Sequence, residues 1–233
     1  MSYAAGKVGS RMEGKQMRSE TDMRVLTTAW ELVALTFRYP DEVLTEALSQ
    51  GEWQEAAEEI LEALGQDVSL DTSEYAGVRT DELLHTLRAE ATRLFVGTPT
   101  PVVSPYEGVW RAAQDDVQPL LFVNPHSMDV ERFMRSCGLG RPEGTNEPLD
   151  HIATEAEFLS YLAGVASGII EPVGEISSEE LPEGSYQAAY DAFFEEHITT
   201  WVPDFVEALE REACIGFYRL ASGYMADLIA SHG

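Results

Sequence analysis

The residues best suited to chemistry fall in one short run, Asn146-Glu147-Pro148-Leu149-Asp150-His151-Ile152-Ala153-Thr154-Glu155-Ala156-Glu157-Phe158-Leu159. Read locally, Pro148 suits the first position of a helix, and Glu147 and Asp150 sit where a helix dipole favours anions. The helical period brings Ile152, Phe158 and Leu159 towards one buried side. Asp150 and His151 would then project from the first turn, with Glu155 one turn beyond His151. Three uses are open to such a set. The carboxylates can simply cap the helix, His151 can form an acid–base dyad with a carboxylate, or His151 and Glu155 at i, i+4 can supply part of a metal site. A metal-dependent hydrolase using Asp150 and His151 is the enzymatic version of the last two.

The remaining parts of such an enzyme are missing from the sequence. The other histidines, His85, His126, His197 and His232, show no HExxH spacing, and a site of this kind takes about three or four ligands. There is no GxSxG, no GxxxxGK[ST] phosphate loop, and no Lys after Lys15. The two cysteines, Cys137 and Cys214, lack CxxC spacing, are too few for a disulfide scaffold, and fit a reducing compartment. No catalytic residue, metal or cofactor is therefore assigned.

The elements that must carry these residues are helical. Apolar residues Val25, Leu26, Ala29, Leu32, Val33 and Phe37 recur at helical spacing after the candidate caps Thr21 and Asp22, until Pro40 forbids continuation. Similar patterns predict helices over 41–49, 53–64, 81–95, 108–117, 126–138 and 148–166. The C-terminal part, 186–201 and 203–229, reads as two helices or as one kinked at Pro203. Residues 98–105 form a Pro-rich loop, 171–184 an acidic one, and no stretch alternates long enough to make a strand. The expected fold is an all-α, single-domain bundle of about 8–11 helices spanning 20–233, behind a flexible tail at 1–19.

Composition narrows the partners. The 233 residues carry 41 acidic and 15 basic side chains, a formal net charge of −26. Residues 1–24 hold five basic and three acidic groups, so +2 lies there and −28 on the remainder. Nucleic acid and anionic membrane faces are disfavoured, since both need clustered cations. Basic ligands are favoured. No run approaches the roughly 18 apolar residues of a membrane span, and the N-terminal stretch lacks a hydrophobic signal core, so the expected location is the cytoplasm.

Four stretches, in order along the chain, resemble the signatures of the TorD/DmsD/NarJ family of redox-enzyme maturation chaperones. They are Arg93-Leu94-Phe95-Val96-Gly97; Ser104-Pro105-Tyr106-Glu107-Gly108-Val109-Trp110; Glu147-Pro148-Leu149-Asp150-His151 with the acidic-aromatic helix after it; and His197-Ile198-Thr199-Thr200-Trp201-Val202-Pro203-Asp204-Phe205. The E-P-x-D-H segment is the most specific, and Gly108 departs from the Ser that often follows the family's Tyr-Glu pair. The resemblance implies a TorD-like helical fold without catalysis. It implies binding of the twin-arginine signal peptide, or the apo form, of a molybdenum-cofactor oxidoreductase until its cofactor is inserted. A NarJ-type factor assembling a non-exported enzyme is the variant of that role. The implied peptide-binding residues are Glu147, Pro148, Asp150 and His151, lying at a hinge near 140–148, with Tyr106, Glu107 and Trp110 in the matching loop. The family also implies a monomer or a domain-swapped homodimer.

A basic, then apolar, leader calls for carboxylates beside an apolar groove. Glu147, Asp150 and Glu107 would accept guanidinium hydrogen bonds, while Tyr106, Trp110 and Phe158 would offer apolar surface. His151, with an ordinary pKa of about 6.5, would tune binding with pH.

Overall fold

A computed structural model describes residues 18–116, 124–140, 148–174 and 176–232. Glu147, most of the expected hinge and residues 1–17 of the expected tail lie outside the described residues. Within them the chain forms ten α-helical segments and no strand.

Helix α1 (Glu20–Phe37) is the spine. It begins one turn earlier than Asp22 because Ser19 caps it: the Ser19 hydroxyl accepts from the Asp22 amide at 3.1 Å, and the Asp22 carboxylate accepts from the Ser19 amide at 2.9 Å. Its buried stripe, Met23, Leu26, Trp30, Val33 and Phe37, packs along helix α7 (Ile152–Ala166), its most extensive partner. The two run antiparallel, since Phe37 would otherwise not share a cavity with Ala153 while Met23 shares one with Ala166.

Around this pair lie α2 (Glu42–Gln50), α3 (Glu52–Ala63), α4 (Thr80–Ala91), α5 (Glu107–Gln114) and α6 (Pro125–Ser136). Helices α8 (Tyr186–Phe193) and α9 (Thr199–Glu212) join through a wide turn at Phe194–Ile198 into one rod, and α10 (Gly216–Ala230) closes the chain. Three tryptophans anchor the core. Trp30 donates to the Tyr190 hydroxyl at 2.7 Å and Trp53 to the Thr36 hydroxyl at 2.9 Å, while Trp201 packs edge-on to Phe205. Buried indoles thus keep their N–H groups satisfied.

Two boundaries differ from expectation. Pro203 does not end a helix; it sits in the second turn of α9. The wide turn before it ends beside Thr199, whose carbonyl Pro203 cannot serve with an N–H, so the ring is accommodated there. The real break comes at 213–215. There Arg93 donates to the Glu212 carbonyl at 2.6 Å, its ion-pair partner Glu90 accepts from the Cys214 amide at 2.6 Å, and burial-opposing bonds to Arg93 hold the Glu90 carboxyl below its ordinary pKa. The second difference is the start of α7, at Ile152 and not at Pro148. No helix among the described residues is long and apolar enough to cross a membrane.

Candidate functional site

Residues 104–106 and 150–151 meet as two short non-helical segments, each leading into a helix, joined by a single antiparallel bridge between Tyr106 and His151. The Glu107 amide donates to the Asp150 carbonyl at 3.0 Å, and the Ile152 amide to the Pro105 carbonyl at 2.9 Å. This pairing keeps Asp150 and His151 out of the helix. His151 instead caps it, its Nδ1 accepting from the Ala153 amide at 3.1 Å, so the neutral ring carries its proton on Nε2. In extended chain, neighbouring side chains point to opposite sides. Tyr106 and His151 therefore share one side, their rings edge to face at 5.1 Å, while Glu107 and Asp150 turn inward.

The inner side is a buried polar cluster. Asp150 is 1% exposed; its Oδ2 accepts from the Gly108 amide at 2.8 Å and from the Ser127 hydroxyl at 2.6 Å. A Cβ at position 108 would stand 2.5 Å from Ser127 Oγ and 2.8 Å from Asp150 Oδ2. Gly108 thus leaves the space in which Ser127 supplies a hydroxyl to Asp150. Glu107, fully buried, accepts from Arg111 at 3.0 Å and from His197 Nδ1 at 2.9 Å. Beside them lies Glu155, also fully buried, which accepts from the Trp201 indole at 3.3 Å. Burial first, then the charges of Glu107 and Asp150, push the Glu155 carboxyl well above its ordinary pKa; burial likewise raises Asp150 against the bonds from Ser127 and Gly108.

The outer side is a cavity of about 430 Å³ where the end of α1, the end of α4 and the start of α7 converge. Phe37, Phe95, Val96, Pro105, Pro148 and Leu149 give it apolar walls, and Tyr106 and His151 stand among them. Its margin is apolar as well, with Tyr39 54% and Val96 60% exposed.

The expected site residues therefore separate. Tyr106, Pro148 and His151 line the cavity. Glu107 and Asp150 do not stand exposed on a rim as expected: the bridge turns both inward, where protein donors already engage them. Trp110 is half-buried, donates to the Ser104 carbonyl at 2.8 Å and packs edge-on to Phe205, away from the cavity. Phe158 is core. Asp150 and His151 make no dyad, because the carboxylate and the ring leave the chain on opposite sides of the bridge. No group of His, Cys, Asp and Glu among the described residues is placed to hold a metal ion. His151 also differs from expectation: burial pushes its pKa down to about 4, so it stays neutral through the physiological range. Sequence reasoning missed Phe37, Arg38, Tyr39 and Glu157 as wall residues. The hint was Phe37 and Phe95 each closing a helical pattern just before Pro40 and Gly97, which places aromatic groups at helix ends.

A model of the nitrate reductase delta subunit family matches residues 46–207. The chaperone protein TorD of Photobacterium profundum is 29% identical over 132 residues, covering 57% of this chain and 55% of that protein. TorD of Aliivibrio fischeri is 26% identical over 143 residues, 61% of this chain and 60% of that one. The chain thus aligns with little more than half the length of these curated relatives. A crystal structure from Archaeoglobus fulgidus, of a protein assigned to redox enzyme maturation, superposes with a TM-score of 0.52 at 18% identity, over 93% of this chain and 98% of the other. That likeness is one of fold.

Proposed function

The chain belongs to the nitrate reductase delta subunit family, and on that premise we propose that it is a non-catalytic chaperone for a molybdenum-cofactor oxidoreductase. It binds the enzyme's twin-arginine leader in the cytoplasm, before export, in the cavity between α1, α4 and α7. One observation carries this reading: the two stretches that resemble the TorD signatures meet at the Tyr106–His151 bridge and turn Tyr106, Pro148 and His151 into an open, apolar-walled cavity.

The chemistry fits an extended apolar segment. The walls supply area and the aromatic rings supply anchors, the pattern by which a few central residues carry most of a peptide's affinity. The acidic body favours approach of a basic leader and raises its on-rate at low salt. The buried cluster beneath the bridge holds Tyr106 and His151 in place so that little ordering remains to be done on binding.

Isothermal titration of the full chain with a synthetic twin-arginine leader of a molybdoenzyme tests the reading. Saturable binding that weakens on Tyr106→Ala is expected; absence of binding to the leader and to the apo-enzyme alike would overturn it. A variant of this role is an assembly factor that grips the enzyme body, and titration with leaderless apo-enzyme separates the two.

A further inference from the structure

The cavity does not end at Phe37. It continues past Arg38 and Glu157, which line both, into a shallower depression along the α1–α7 seam walled by Glu31, Leu35, Tyr161 and Ile170. Glu157 is the sole carboxylate among the residues lining the first cavity, and Glu31 is the second acid lining the depression. Both are exposed, one from each helix, and among the described residues neither is engaged in an ion pair or hydrogen bond. Arg38, the cation between them, is held by Asp41 at 3.0 Å. The carboxylates of the motif, Glu107 and Asp150, are shut inside and occupied.

We propose that Glu157, together with Glu31, is the cation-recognising part of the groove, and that the occupant is a peptide bearing arginine beside an apolar run. The apolar run fills the cavity bounded by Phe37, Phe95 and Tyr106, and the guanidinium lies over the seam between Glu31 and Glu157. This deepens, and rests on, the leader-binding reading. The geometry sets the spacing. Glu31 and Phe37 are six residues apart on α1, roughly 9 Å at the helical rise, which an extended peptide covers in about three residues. A guanidinium between two carboxylates makes charge-assisted and often bidentate bonds. A single exposed carboxylate holds a cation weakly, so two of them flanking a groove that also anchors the apolar run are what make the subsite selective.

The test uses the full chain, a synthetic leader with two arginines before its apolar run, and the same peptide with both arginines changed to glutamine. Binding to the unaltered chain is expected to fall about tenfold on the peptide change, a modest sum of charge-assisted contacts. Glu31→Gln with Glu157→Gln is expected to weaken the arginine peptide to a similar degree, and to leave the two peptides within about twofold of each other. Both side chains are exposed, and an unchanged unfolding midpoint checks that the fold survives. If the double variant binds the arginine peptide as tightly as the unaltered chain while Tyr106→Ala loses it, the cation subsite is wrong and the groove reading stands. If the unaltered chain binds neither peptide, both fail. If the double variant instead dissolves a self-association of the chain and leaves peptide affinity unmoved, the acidic lip serves a second copy and the proposal falls.

Discussion

Beneath the Tyr106–His151 bridge lies a polar cluster with almost no contact with water, and above it lies an open cavity walled mainly by apolar groups. Both are made from adjacent residues: Tyr106 faces out and Glu107 in, His151 out and Asp150 in. The difference teaches that one sequence signature can encode two layers with separate duties. The inner layer fixes the backbone through Asp150 and Glu107, and the outer layer presents a surface through Tyr106, Pro148 and His151. Substitutions in the two layers should therefore move different observables, stability below and affinity above.

The largest effect is expected from Asp150→Ala, which leaves the Ser127 hydroxyl and the Gly108 amide without their buried acceptor. Relief of the repulsion with Glu107 offsets a fraction, and a loss of about 2–4 kcal/mol in denaturant unfolding is expected. A variant that unfolds normally yet no longer binds leader would place Asp150 in the outer layer and break the comparison. Gly108→Ala comes next. Its methyl group collides with Ser127 and Asp150, and a destabilisation of about 1–3 kcal/mol is expected by the same measurement.

Tyr106→Ala reverses the pattern: leader affinity should drop about tenfold, or roughly 1.4 kcal/mol, with the unfolding midpoint nearly unchanged. A pH profile sharpens the inner layer. Because the Glu155 pKa is raised, the folded chain keeps a proton that the unfolded chain releases above about 4.5. That stabilisation is full below this value and is lost as pH climbs through the raised pKa, with a slope of at most about 1.4 kcal/mol per pH unit. Glu155→Gln should flatten the decline, while raised Asp150 keeps a residual slope of the same sign. Smallest of all, leader affinity should not change through His151 between pH 5.5 and 7.5, since burial pushes the pKa of that ring down to about 4. Ring-proton NMR of His151 with a midpoint near its ordinary value would contradict the burial assigned to it.

Much of the scaffold is legible in the residue order because its signals are local. The run from Leu26 to Phe37 carries its own period and Pro40 its own stop. Gly51 closes α2 at φ 81°, and Asn124 caps α6. Of the expected site residues, Tyr106, Pro148 and His151 line the cavity, but their arrangement is not legible in the residue order. Residues 148–151 have the local chemistry of a helix start, and only a backbone bridge to Tyr106, more than 40 positions earlier, holds them extended. The break at 213–215 is equally invisible locally, for it is set by Glu90 and Arg93 from α4 and the turn after it. Glu157 is not legible as a cavity residue because it is brought there by Phe37 and Arg38 across the seam.

Hydrogen exchange of the full chain, with and without a saturating synthetic leader, tests the two-layer account most directly. Added protection is expected at 37–39, 95–96, 105–106 and 148–154, around the open cavity, while the amides of Gly108 and Glu107, already bonded to Asp150, stay unchanged. Protection confined to another face, with the cavity segments exchanging as before, would contradict it.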